Sequence, residues 1–125
     1  MYLAPFDVIR NFDRLVHDPS RLVILTALDA CGASEFMPLQ YVTGLSRGNL
    51  SLHLGKLRAN GLVSLEKKGG GRRRTQVRLT AKGRKAIRSH WHRLEEVRRD
   101  VATWAEIGSG KPVPDGFFGP GPRPR

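Results

Sequence analysis

The chain has one cysteine, few acidic residues, few aromatics and no long apolar run. A lone Cys31 has no partner for an intrachain disulfide, and cysteine-only zinc or iron–sulfur sites are excluded. No stretch approaches the ~18–20 consecutive apolar residues of a membrane span. Met1–Arg10 lacks the basic start, apolar stretch and small-residue cleavage site of a signal peptide. The expectation is a soluble, reduced, cytoplasmic protein. Enzymatic signals are missing too. The only glycine run, Gly69–Gly71, lies between two strand-like segments rather than opening a helix. There is no nucleophile elbow and no acid pair with a cleft around it, so no enzyme is expected.

What is present is positive charge. Lys and Arg number 22 against 11 Asp and Glu, which leaves +11 and a pI near 11.1 over 125 residues. Such a balance in a one-domain chain points to a polyanionic partner, nucleic acid first and an anionic membrane surface second. The charge is uneven. Residues 1–45 carry Arg10, Arg14 and Arg21 against five acids, whereas residues 46–110 carry sixteen basic and five acidic side chains. The second half should meet the anion and the first should act as scaffold.

The periodicity is mainly helical. Phe6, Ile9, Phe12, Leu15 and Val16 follow Pro5 at near-helical spacing, an amphipathic arm over residues 1–16. Asp18-Pro19 is a helix start, with Asp at N-cap and Pro where its missing N–H is harmless. Leu22, Ile24, Leu25 and Leu28 carry that helix to Cys31-Gly32. Glu35–Met37 reads as a short extended piece. Pro38 restarts a helix, with Leu39, Val42 and Tyr41 inward, which ends at Gly44. Ser46 caps the next helix, Arg47–Ala59, which stops at Asn60-Gly61.

The period then changes to two. Val63 and Leu65 face Val77 and Leu79 across a Gly- and Arg-rich loop, a β-hairpin with a flexible tip. Thr80 caps a long last helix, about residues 81–106, whose apolar stripe is Ile87, Trp91, Leu94, Val97, Val101 and Trp104. A Pro/Gly-rich tail, 108–125, reads as disordered. The fold class is mainly α with a small β-hairpin.

Two segments carry function. On Arg47–Ala59, Leu50, Leu54 and Leu57 share the inward face, leaving Gly48, Asn49, Ser51, Leu52, Gly55 and Lys56 outside. A helix ~10–12 Å across fits the ~12 Å major groove. Asn49 can read adenine, Leu52 can touch a thymine methyl, and Arg47 and Lys56 can reach guanine or phosphate, with Ser51 beside them. Glycines let a backbone approach a surface closely. The bland alternative is two tolerated surface glycines and a Leu52 that contacts a second subunit. The hairpin holds Lys67, Lys68, Arg72, Arg73, Arg74 and Arg78 against Glu66 alone. Like charges held together in a short hairpin repel unless an anion compensates them, so these residues should meet DNA backbone or a narrow minor groove. The alternative is a solvated charge run.

Leu45–Val63 as a whole resembles the recognition helix and following strand of winged helix-turn-helix transcriptional regulators of the MarR/ArsR-like kind. Leu79-Thr80-Ala81-Lys82-Gly83-Arg84 is similar to their wing-to-helix junction, and Arg21 with Ile24, Leu25 and Leu28 to their opening helix. The resemblance covers about residues 17–95. It implies a winged helix-turn-helix over 17–80, a dimerisation helix over 81–107, and a homodimer that binds a pseudo-palindromic double-stranded DNA operator, usually as a repressor. In relatives, a small-molecule effector often binds between the dimer helices and the reading head. The competing reading is a non-specific or architectural nucleic-acid-binding protein.

The departures narrow this. Metal-sensing relatives carry Cys pairs or His/Asp clusters; here His90 and His92 point about 200° apart. No metal or cofactor is implied. His53 reads as a core or interhelix hydrogen-bonding side chain and His17 as part of a helix start. Cys31 reads as a quiet, half-buried thiol next to a glycine at a helix end, with a redox sensor as the alternative. Trp91, Leu94, Val97, Val101 and Trp104, with the Phe6, Ile9 and Phe12 arm, read as a subunit interface; folding back onto their own domain is the alternative.

Overall fold

The computed structural model of the protein describes residues 12–69 and 74–112. Residues 13–89 form one compact unit; Phe12 and the described residues from His90 onward belong to a second. Phe6 and Ile9, the hairpin tip at 70–73 and the tail from 113 lie outside the described residues.

The first unit begins with turns. Helix α1 (Pro19–Cys31) starts where Asp18 Oδ1 accepts the N–H of Arg21 at 3.1 Å. It ends at Gly32, whose φ of +79° few other residues tolerate. Strand β1 (Ala33–Glu35), helix α2 (Phe36–Thr43) and helix α3 (Arg47–Ala59) follow. Ser46 Oγ caps α3 by accepting the N–H of Asn49 at 3.1 Å. Strands β2 (Val63–Lys68) and β3 (Arg74–Leu79) lead to helix α4 (Ala81–Gly108), which runs from the first unit into the second.

Both hairpin strands pair as their alternation predicts, Val63 with Leu79 and Leu65 with Val77. The sheet is larger than a hairpin, because β1 pairs antiparallel with β3, giving the order β1-β3-β2. Ile24, Leu25 and Leu28 of α1 meet Leu50, Leu54 and Leu57 of α3, Leu39 of α2, Val63, Val77 and Leu79 of the sheet, and Ile87 of α4. Burying each such side chain contributes roughly 1.5–3 kcal/mol, so this layer holds α3 in place.

Several expectations are corrected. Val16 is not part of a helical arm: residues 14–16 form a turn, and Val16 is buried in the core of the first unit. Helix α2 starts at Phe36, with Pro38 inside the first turn, where a missing N–H costs no intrahelical bond. That phase turns Phe36 and Leu39 inward and leaves Tyr41 and Val42 outside, 89% and 66% exposed. The extended piece is Ala33–Glu35 rather than Glu35–Met37. Cys31 is exposed, not half-buried, and its thiol donates to the Ala27 carbonyl. Cys31 sits past the last core residue of α1, Leu28.

Gly83 explains the junction motif. A Cβ there would lie 2.1 Å from the Leu62 carbonyl oxygen, so only glycine lets α4 start against the end of α3 and β2. Thr80 Oγ1 closes the corner, donating to the Gly61 and Leu62 carbonyls and accepting the Gly83 N–H.

In the second unit, Phe12 is buried and packs edge-on against His90, ring centroids 5.1 Å apart, and the Arg93 guanidinium lies over the Phe12 ring, 5.2 Å from its centroid. His90 is itself buried, 4% exposed.

Candidate nucleic-acid interface

Helix α3 is amphipathic in the sense the sequence requires. Leu50, Leu54 and Leu57 are buried. Arg47, Asn49, Ser51, Leu52 and Lys56 are all exposed, Leu52 by 54%. Gly48 and Gly55 have nothing within 4 Å of where a Cβ would stand. They open no space that the chain itself fills.

One cavity connects this helix with the sheet. Its volume is about 330 Å³, and it is lined by Arg47 and Ser51 from α3, Arg74 and Thr75 from β3, and Glu35, Phe36 and Met37 from the β1–α2 junction. The first turn of α3 and the root of the hairpin therefore face one another. Lys67, Lys68, Arg74 and Arg78 are exposed on the strands, while Arg72 and Arg73 fall outside the described residues.

Some cations are already engaged. Arg74 pairs with Glu35 at 3.5 Å, both side chains at least half exposed or nearly so. Arg84 and Arg88 of α4 approach the Asp29 carboxylate of α1 at 3.4 and 3.3 Å. Lys82 Nζ donates to the Asn60 carbonyl at 2.9 Å, fastening α4 to the end of α3. The sequence flagged none of these contacts, because each joins residues more than twenty positions apart.

His53 meets the expectation of an interhelix bond: Arg21 Nη1 lies 3.2 Å from its Nδ1. Among the described residues no three His, Cys, Asp or Glu side chains are grouped to hold a metal ion. No helix among them is long and apolar enough to cross a membrane.

Of the residues expected at a subunit interface, Phe12 and Val97 are buried and Leu94 and Val101 are half-buried. Trp91 and Trp104 remain 47% and 54% exposed on α4. Two half-exposed tryptophans on one stripe are a large apolar surface for a single chain.

Comparison with known proteins gives a consistent picture. A family model described as a winged helix DNA-binding domain matches residues 20–97. Among solved structures, a transcriptional regulator homologue from Pyrococcus horikoshii OT3 is 28% identical, with a TM-score of 0.70, over 77% of this chain and 94% of its own. A MarR-family transcriptional regulator from Silicibacter pomeroyi shares the fold at 19% identity and a TM-score of 0.60, over 89% of this chain and 84% of its own. BpsR from Bordetella bronchiseptica, whose DNA binding is regulated by 6-hydroxynicotinic acid, shares it at 19% identity and a TM-score of 0.62, over 76% of this chain and 73% of its own. Among curated proteins none matches.

Proposed function

The chain belongs to the winged helix DNA-binding domain family, and from that premise we propose that it is a homodimeric transcriptional regulator, a repressor, that reads a pseudo-palindromic site in double-stranded DNA. The observation that carries this reading is the shared cavity. It joins the outward start of α3 to the cationic hairpin root, so a helix for the major groove and a wing for the flanking backbone adjoin.

In this reading Asn49 and Leu52 read base edges, and Arg47, Ser51 and Lys56 reach guanine or phosphate. Lys67, Lys68, Arg72, Arg73, Arg74 and Arg78 bind backbone or the minor groove. Pairing through Phe6, Ile9, Phe12, Trp91, Leu94, Val97, Val101 and Trp104 covers the exposed tryptophans. Twofold symmetry then sets two α3 helices ~34–36 Å apart or at a multiple of that spacing, which requires a palindromic operator. A small-molecule effector is proposed by analogy with BpsR.

Selection of bound duplexes from a random pool tests the reading. A twofold consensus is the expected result. On that consensus, Asn49→Ala and Leu52→Ala should each cost ~1–3 kcal/mol and relax specificity at one position. Lys67→Ala should weaken all duplexes alike and flatten the salt dependence by about one unit of slope. Equal affinity for the selected and a random duplex would leave a non-specific architectural protein instead.

A further inference from the structure

The cavity between α3 and the hairpin root gathers charged and hydroxyl-bearing residues from three separate elements. Arg47 and Arg74, Ser51 and Thr75 line it together with Glu35 and the apolar Phe36 and Met37. Among the described residues the side chains of Arg47, Ser51 and Thr75 have no hydrogen-bond or ion-pair partner. Arg74 has one, Glu35, at 3.5 Å. Glu35 occupies the N-cap position of α2, yet its side chain caps no amide of that helix. Its contact with Arg74 therefore does no capping work in the fold.

We propose that this cavity seats one phosphodiester of the DNA backbone, and that Glu35 is a built-in competitor which holds Arg74 until the phosphate enters. The inference rests on the groove reading above. If α3 enters a major groove and the hairpin reaches the adjacent minor groove, one sugar–phosphate strand separates the two grooves. That strand must run between the two elements, where the cavity lies.

The exchange is favourable on charge. The Glu35–Arg74 pair is exposed, and such pairs are weak. An incoming phosphate meets a second guanidinium and two hydroxyl donors that the carboxylate does not engage, and charge-assisted contacts to phosphate are the stronger kind. Glu35 leaves the lining with one net positive charge rather than two. It thereby lowers affinity for every duplex, which restrains a chain of +11 from settling on any DNA it meets.

The test uses the full chain and a random-sequence duplex, with binding followed by fluorescence anisotropy across a salt series. Glu35→Gln should tighten binding about three- to tenfold at low salt and steepen the log–log salt slope by about one. Its thermal unfolding should be unchanged. In an Arg74→Ala background the same substitution should have almost no effect, because the residue it frees is gone. Unchanged affinity in Glu35→Gln overturns the proposal. So does a gain that survives Arg74→Ala, since Glu35 would then act by general repulsion. Titration with inorganic phosphate separates the two sources of this anion. No response beside tighter duplex binding supports the backbone seat, whereas Arg74-dependent binding of free phosphate that is stronger in Glu35→Gln assigns the cavity to a soluble anion and overturns it. A wild-type chain that binds no duplex removes the groove reading and the seat together. Wild-type binding with an unresponsive Glu35→Gln removes the seat alone.

Discussion

Arg21 of α1 lies with Nη1 3.2 Å from Nδ1 of His53, on the helix proposed to enter the groove. The same guanidinium donates to the Leu15 carbonyl at 2.6 Å and the Arg14 carbonyl at 3.2 Å, and lies 3.7 Å from Asp18. One side chain therefore ties the entry turn, the cap of α1 and α3 together. Because Nδ1 accepts from Arg21, the proton of a neutral His53 sits on Nε2.

Arg21→Ala should destabilise the fold by about 1.5–3 kcal/mol, the range for hydrogen bonds to charged groups, in urea denaturation. Arg21→Lys should recover only part of that loss, since an ammonium lacks the planar fork. His53→Ala should cost less, and the double variant should cost less than the two single losses combined, because the residues share a contact. Strict additivity would show that the pair is not coupled.

Asp18 makes stability depend on acidity. Burial raises its pKa, but the Arg21 N–H, the charges of Arg21 and His53 and the Ser20 N–H outweigh it and hold the carboxyl below its ordinary value. With the folded pKa depressed, the contribution is present above the ordinary aspartate value of about 3.9 and is lost as pH falls through the folded one. Wild-type stability should therefore drop below about pH 4. Asp18→Ala should lose ~1 kcal/mol of capping at pH 7. Asp18→Asn should keep most of the cap while showing a smaller acid response, measured by urea midpoints at pH 7 and pH 3.

Two glycines should respond oppositely to alanine. Gly83→Ala drives a methyl into the Leu62 carbonyl, and overpacking of this kind costs about 1–3 kcal/mol or more. Gly55→Ala meets open space on a helix face, so it should stabilise the fold by about 0.5–1 kcal/mol. If α3 lies close to DNA there, the same change should weaken duplex binding. Stabilised Gly55→Ala with full affinity would place that face away from the groove.

Trp104 is 54% exposed on α4. If a second subunit covers it, Trp104→Ala should weaken self-association by about thirtyfold or more, since aromatic anchors at an interface cost about 2 kcal/mol or more when truncated. Sedimentation at several concentrations reads this directly. A wild-type chain that stays monomeric at all of them would remove the dimer from the proposed function.

The sequence by itself determined the parts whose physics is local. The start of α1 at Asp18-Pro19, the limits of α3 at Arg47 and Ala59, its Leu50/Leu54/Leu57 face and the Val63/Leu65 alternation all depend on neighbours within about one turn or one strand step. Gly83 was visible as a motif position, but its reason, the Leu62 carbonyl against α4, was not. Tertiary structure alone decided the phase of α2, which buries Leu39 and exposes Tyr41 and Val42, because Phe36, Met37, Leu39, Tyr41 and Val42 surround this short helix with apolar side chains and leave no polar face to mark the outside. It decided the third strand, the burial of Val16 and His90, and the exposure of Cys31. It also decided that Glu35 and Arg74, 39 positions apart, share one cavity with Arg47. Such pairings arise only when separate elements are packed together, and no periodicity along the chain encodes them.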